Sequence, residues 1–587
     1  MSQDSLQARQ RASLDDPITF EVVKNALASV ADEMAMTIIR TGHSQVVRDN
    51  LDFSTAICDS RGRVVGQGCG IPFHLGAIPD AMSAVIERLG DELAPGDIVI
   101  LNDPADGGMH LPDVFVLQPI FIGDELVGFA TCVAHYPDIG GRAAGGNAVD
   151  STDVFQEGLQ IPILKLYDRH VPNATLLALL RKNVRVPDLV LGDLRAQLAA
   201  CHVGTRGFLE LVDRYGRDRL LDNAEALLDY TEHLVRAELS NIPVGSYSFE
   251  DHLDDDGFGS GPITIHVTLS FDGGEVTADF TGTSPQVKSA LNCTLSATKS
   301  VVYTALKCMM PPTVPSNEGM YRPITVIAPL GTIANAAHPA ARAARGITAF
   351  RMLDTVFGAL HAALPGRVPA AGEGGATMIA MGGSEFAGGE FVFVDFSSGG
   401  WGGRESSDGV DGTSPILANL ANVPIEEIEL RQPVRVLRYG FVPDTGGAGR
   451  TRGCLSVVRE FRLLADSAIL QIRSDRRRFP PYGLEGGRAG SPSANLLNPG
   501  PDEQLLPTTV TTAIVRGDVL CHVTAGGGGY GPPLERSVSA VERDIADGKL
   551  SPESARALYG VVWDIAAGRV AFEETEQLRA SLGGGAP

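Results

Sequence analysis

"DIVILND" at 97–103 runs directly into "NDPADGGMHLPDV" at 102–114, and "LVGFATCVAHYPD" follows at 126–138. Both apolar runs are short, rich in β-branched and aromatic residues, and end in polar residues, so they read as strands that deliver side chains to loop mouths. Working outward, "TFEVVKNALASVADEMAMTIIRTG" (19–42) repeats apolar residues at helical spacing and stops at Gly42 after Arg40, which predicts a buried amphipathic helix. "STAICDS" and "GRVVGQG" add strand-like runs to the same layer. Residues 172–241 read as helical. From "SYSFEDHLDDDG" (246–257) the pattern turns to alternating strands, as in "ITIHVTLSFDGGEVTADFTGT" (263–283), and between 370 and 456 glycine becomes frequent in "SSGGWGGRESSDGVDG" and "PDTGGAGRTRG". The tail from 532 returns to helices, with "SPES" reading as an N-terminal cap.

The expectation is an α+β, multi-domain chain: an N-terminal α/β layer (16–171), a helical segment (172–245), a β-rich body with glycine turns (246–531) and a C-terminal helical tail (532–587). At 587 residues a single core is too small a unit for the whole. A net charge of −23, spread along the chain, repels a phosphate backbone and argues against nucleic acid as a partner. No apolar run reaches the roughly 20 residues that span a bilayer, and "MSQDSLQARQRASLDDP" lacks the apolar core of a secretory signal. Eight cysteines scattered singly fit free thiols in a reducing compartment, so a cytoplasmic location is expected. The one basic cluster, "RSDRRRFPPYG" (473–483), reads as a solvated loop in preference to an anion or subunit contact.

The candidate chemistry lies in "HLPD". Pro112 fixes its own φ and biases Leu111 toward extended backbone, so His110 and Asp113 acquire a defined mutual geometry. "AHYPDIGGRAAGG" (134–146) again places a histidine and an aspartate around a proline, and "VVRDNLDFSTAI" (46–57) supplies Asp52 ahead of an apolar run. Two imidazoles with carboxylates suit zinc, manganese or iron(II) with positions left open. The candidate ligands are Asp52, His110, Asp113 and His135, with Asp138 orienting them or serving as base for a water. The competing reading is ordinary: hydrogen-bonded structural histidines and Asp-Pro turns. His43 and His74 are further candidates for which the structural reading stands. "GGGGYG" (526–531) matches GxGxxG formally but lacks a surrounding βαβ unit, and no GxxxxGK[ST] loop or GxSxG elbow occurs.

Taken together, "DPITFEVVKNAL", "RTGHSQVVRDNLDFSTAICD", "PFHLGAIPDAM", "GDIVILNDPADGGMHLPDV", "AHYPDIGG", "QEGLQIPILKLYD", "DFTGTSPQVKSALN", "PDTGGAGRTRG", "GLEGGRAGSPS" and "TAGGGGYGPPLERSV" resemble the hydantoinase B/oxoprolinase family over nearly the whole chain. The resemblance implies one half of a two-component enzyme. A hydantoinase A-type partner, actin-like, binds ATP and magnesium, while the B-type chain carries a divalent metal ion at positions that fall on Asp52, His110, Asp113 and His135. It further implies ATP-dependent hydrolysis of a lactam or hydantoin, in a hetero-oligomer with two of each subunit. The family also contains large subunits of acetone and acetophenone carboxylases, so a ketone carboxylase subunit is the alternative activity, and a non-enzymatic scaffold for the ATPase is the third reading. Ala525 and Pro532 depart from the family's pattern, away from the metal positions.

Overall fold

The computed structural model describes residues 16–68, 70–375, 377–384 and 389–583; the N-terminal stretch read for a signal and Cys69 lie outside them. Helix α1 (Pro17–Thr41) starts where Asp16 accepts the Thr19 N–H at 3.0 Å and ends at Gly42, as its sequence predicts. Its buried residues, Val23, Leu27, Val30, Ala31, Met34 and Ile38, keep helical spacing and form one stripe.

That stripe packs on a seven-stranded antiparallel sheet in the order β2-β1-β5-β4-β3-β6-β7, with β1 Phe53–Asp59, β2 Val64–Gln67, β3 Ile98–Leu101, β4 Asp113–Ile122, β5 Glu125–His135, β6 Leu164–Asp168 and β7 Val171–Pro172. Strands β4 and β5 form a hairpin whose two-residue turn begins at Gly123 with φ +62°, the left-handed start that such turns require. Both faces of this sheet are covered, so the central strands read as continuous apolar runs. Val114 and Val116 of β4 face α1 and the long helix α2 (Pro187–Tyr215), while Phe115 and Leu117 face the opposite core. A helix at Ala174–Asn183 precedes α2 and α3 (Arg217–Ser240) follows it, accounting for the helical segment expected at 172–241.

The opposite core joins distant parts of the chain. Ala56, Phe115 and Phe129 share it with Leu269 and Phe271 of a second, four-stranded sheet and with two helices, α4 (Leu295–Met309) and α5 (Arg345–Ala363). The glycine-turn body therefore contains long helices as well as strands. It is completed by two further sheets packed face to face through Ile379, Met381, Phe393, Phe461, Leu470 and Ile472.

"GGGGYG" serves that body as a backbone-packing element. The amide N–H groups of Gly526 to Gly531 donate in turn to the carbonyls of Ser491, Cys454, Ala371, Arg488, Thr451 and Leu484, which leaves none for a phosphate. A Cβ on Gly526 would sit 1.9 Å from the Thr445 carbonyl oxygen, and one on Gly528 1.9 Å from that of Tyr482. Glycine is needed here because backbones approach too closely for any side chain.

The C-terminal helix Pro552–Tyr559 is capped as read, Ser551 accepting from Ser554 N–H at 3.1 Å. The tail is tied down by a buried ion network: Arg536 to Asp408 at 2.6 Å and to Asp544 at 2.7 Å, and Arg452 to Asp411 at 2.7 Å. The basic cluster at 473–483 is not a solvated loop. Arg473 and Arg476 are buried, and Arg476 pairs with Asp354 and Asp251. The seven described cysteines form no disulfide, and no described helix is long and apolar enough to cross a membrane.

Candidate metal centre

Sheet register brings three of the sequence-predicted residues together. Asp113 opens β4 and His135 closes β5, and the two are directly paired across the hairpin. On the other side of β5, β1 pairs Phe53 with Ala134, and the His135 N–H donates to the Asp52 carbonyl at 3.0 Å. Residues alternate faces along a strand, so the parity of Val133, Phe115 and Ala56 puts His135, Asp113 and Asp52 on the same face at one end of the sheet.

His110 arrives from the loop that precedes β4. The "HLPD" turn closes through the Asp113 N–H donating to the His110 carbonyl at 3.1 Å, which sets the two side chains next to each other. Asn102, at the end of "DIVILND", fixes this loop from below: its Nδ2 donates to Leu111 and Leu159 carbonyls and its Oδ1 accepts from Ile161 N–H at 2.7 Å.

His110, Asp113 and His135 offer ligand atoms that all lie within 4.8 Å of one another, and all three residues are buried. Among the described residues this is the one such cluster. His135 Nδ1 is 3.1 Å from Asp113 Oδ1, and His110 Nδ1 is 3.0 Å from Asp113 Oδ2. The second approach is close but not aligned as a hydrogen bond, so both His110 nitrogens, like His135 Nε2, are buried without a partner. Orphaned imidazole nitrogens in a closed site demand an explanation. A shared cation supplies one, and neutral imidazole with ionised carboxylate is the donor set for zinc, manganese or iron(II).

The protonation states agree with that donor set. Burial and the neighbouring Arg345 guanidinium keep His110 well below its ordinary range, as a neutral ring. Burial opposes the charge on Asp113, but the Arg345 guanidinium and the hydrogen bond with His135 outweigh it and hold the carboxyl well below the usual carboxylate range; Arg345 Nη2 donates to Asp113 Oδ2 at 2.6 Å. Asp52 lines the same cavity with its carboxylate 3.9 Å from His135 Nδ1, and burial pushes it up to about 6.

Asp138 falls elsewhere. It does not line the cavity, and its carboxylate accepts from Gly140, Gly145 and Arg185 N–H groups and pairs with the Arg185 guanidinium at 3.0 Å. An acidic group so fully engaged fixes the loop after His135; it is not placed to receive a proton at the cavity. His43 is exposed, whereas His74 does line the cavity, hydrogen-bonded to Ser54 Oγ at 2.9 Å and held near 4 by burial. Sequence reading misses Arg345, Ser397 and Phe396 in the cavity wall. Arg345 sits in the alanine-rich "AARAARG" without a motif, and only Arg473 carries a signal, as part of the basic cluster.

The sequence profile of the hydantoinase B/oxoprolinase family matches residues 16–533. The chain belongs to this family. The B-type component of a putative D-/L-hydantoinase from Pseudomonas sp. (strain NS671) is 34% identical over 583 residues, covering 96% of this chain and 98% of the relative. The crystal structure of an ATP-dependent caprolactamase from Pseudomonas jessenii superposes with a TM-score of 0.91 at 32% identity, over 96% of this chain and 99% of that one. A nucleotide-free acetone carboxylase structure also reaches a TM-score of 0.91, at 20% identity, over 98% of this chain and 85% of that one, which shows a common fold. The α+β multi-domain architecture is thus that of hydantoinase B/oxoprolinase proteins.

Proposed function

We propose that this chain is the metal-bearing B-type component of a cytoplasmic, ATP-dependent cyclic-amide hydrolase that opens a hydantoin, 5-oxoproline or related lactam together with a hydantoinase A-type ATPase subunit, two copies of each. The observation that carries the reading is the buried His110–Asp113–His135 cluster, placed in a cavity of a protein whose relatives are named hydantoinase and caprolactamase. His110, Asp113 and His135 would hold a divalent cation, with Asp52 as the fourth ligand. When bound, such a cation supplies Lewis acidity toward a carbonyl oxygen and lowers the pKa of water.

The chain's own residues prepare that site. His110 stays neutral, so a lone pair is available at physiological pH. Asp113 stays ionised because Arg345 backs it, and its contact with His135 orients that ring. Asp138 locks the backbone that follows His135, which is the positioning role we assign it. A lactam amide is resonance-stabilised and its unstrained ring gains little on opening, so hydrolysis profits from coupling to ATP. Phosphorylation of the carbonyl oxygen, with nucleotide and magnesium held by the partner, turns a poor electrophile into an activated imidate.

Elemental analysis of the purified chain beside a His110→Ala variant, followed by turnover of hydantoin, 5-oxoproline and caprolactam with the ATPase partner, tests the proposal. Bound zinc, manganese or iron in the wild type alone, with ATP-dependent ring opening, is the expected result. A protein that cannot be loaded with any of the three refutes the centre, and activity that requires bicarbonate and a ketone replaces the hydrolase reading with carboxylation.

A further inference from the structure

The cavity of the proposed centre has a second wall that the ligand cluster does not use. Three adjacent antiparallel strands end there. Thr377 opens the strand Thr377–Ser384 opposite Ser397, the last residue of Glu390–Ser397, while Arg473 closes Ser467–Arg473 opposite Met378. Arg345 enters the same cavity from the first turn of α5. Arg473 Nη1 donates to Asn147 Oδ1 at 2.8 Å and to the Ala343 carbonyl at 3.0 Å, and Arg345 Nη2 is taken by Asp113. In both arginines the Nε–H is buried without an acceptor, and the Ser397 hydroxyl is also buried without a partner. Leaving buried donors unpaired is unfavourable, and two guanidinium groups and a hydroxyl lining one cavity suit an anionic acceptor.

We propose that Arg345, Arg473 and Ser397 form an oxyanion pocket that binds the phosphoryl group of an O-phosphorylated substrate beside the His110–Asp113–His135 centre. The proposal rests on the reading above that the ring carbonyl is activated by phosphorylation. Charge selects phosphoryl over carboxylate. Asp52 and Asp113 balance the two guanidinium groups, so a divalent cation leaves the cavity two positive charges in excess. A phosphate monoester carries about −1.5 to −2 at neutral pH and offers three acceptor oxygens, twice what a carboxylate neutralises. The planar guanidinium fork also matches phosphate geometry.

The test titrates inorganic phosphate, with acetate in parallel, into the purified metal-loaded chain by calorimetry and phosphorus NMR. Wild type, Arg473→Met and Ser397→Ala are compared, with circular dichroism and metal content measured for each. Phosphate is expected to bind more tightly than acetate. Its affinity should fall about tenfold to a hundredfold in Arg473→Met and about tenfold in Ser397→Ala, the range for hydrogen bonds to charged groups, at unchanged metal content. Phosphate no tighter than acetate, or unchanged phosphate affinity in Ser397→Ala, overturns the proposal. Arg473 also holds Asn147 and Ala343, so if its variant misfolds, Ser397→Ala alone decides. Phosphate binding needs no ATPase partner, so intact binding without lactam turnover defeats the hydrolase reading and leaves the pocket standing.

Discussion

Replacing Asp113 by asparagine should destabilise the fold whereas Asp52→Asn should not, although the two carboxylates share one cavity. Asp113 is ion-paired with Arg345 at 2.6 Å and flanked by both imidazoles. In Asp113→Asn the amide oxygen can still accept from Arg345 and the amide N–H can donate to His135, so the main loss is the charge that compensates Arg345. Removing one partner of a buried pair costs about 3–5 kcal/mol, and with the hydrogen bonds kept the lower end applies, about 3 kcal/mol. Asp52 is the converse case. Burial raises its carboxyl from 3.8 to about 6, and at about 1.4 kcal/mol per pH unit its charge costs the fold roughly 3 kcal/mol at neutral pH. Asp52→Asn relieves that penalty. In urea unfolding of chelator-treated protein at pH 7, with a slope of about 3 kcal/mol per molar, Asp113→Asn should lower the midpoint by about 1 M, and Asp52→Asn should leave it unchanged or raise it. Equal downward shifts in both variants, or an unchanged midpoint in Asp113→Asn, would refute the charge assignment.

His110→Ala should leave the chain folded, because the His110 ring makes no aligned hydrogen bond, yet abolish bound metal; elemental analysis with circular dichroism checks both halves. Gly528→Ala places a methyl 1.9 Å from the Tyr482 carbonyl oxygen, so it should destabilise by about 3 kcal/mol or more and depress soluble expression, whereas Gly568→Ala, where nothing lies within 4 Å but φ is +62°, should cost only about 1 kcal/mol, measured by thermal unfolding. The Asp408 and Asp411 carboxyls are held below their usual range against burial by Arg536 and Arg452 respectively. Their contribution is therefore present above about pH 4 and is lost as pH falls through their lower folded values. Protection of the C-terminal helices against hydrogen exchange, taken relative to the intrinsic rate at each pH, should fall in that acid window, and Arg536→Met should produce the same loss of protection at pH 7.

The N-terminal half is legible because its signals are local. Helix α1 has its cap, its apolar spacing and its terminal glycine in one run, and "HLPD" encodes the His110–Asp113 juxtaposition within four residues. Strand ends fixed by the β4–β5 hairpin then bring His135 to Asp113, a pairing that the two His-Pro-Asp words suggest from sequence. For Asp138 the orienting reading is favoured over the base for a physical reason. Its place in the second word mirrors Asp113, but the glycines after it let the loop turn back on Arg185, and hydrogen bonding from three backbone amides consumes the carboxylate. The helices inside the glycine-rich body escape for another: α5 is buried on nearly all sides, so it lacks the polar stripe that marks a surface helix.

What no local reading reaches is the chemistry shared between chain segments more than 200 residues apart. The proposed ligand cluster comes from the N-terminal sheet, while Arg345, Ser397 and Arg473 come from a helix and two strands of the later body. Asp113 is the hinge between the two sets, because the carboxylate that meets both imidazoles is also the one that anchors Arg345. Folding of the body against the sheet therefore does more than bury apolar surface: it brings the Arg345 guanidinium onto the carboxylate of a proposed ligand. Asp113, a proposed ligand, and Arg345 bury their opposite charges only together, so the centre and the arginine wall form as one unit. The double variant Asp113→Asn, Arg345→Met tests this directly. If the two residues act as a pair, its loss of stability will be smaller than the sum of the single losses, and strict additivity would show the two walls to be independent.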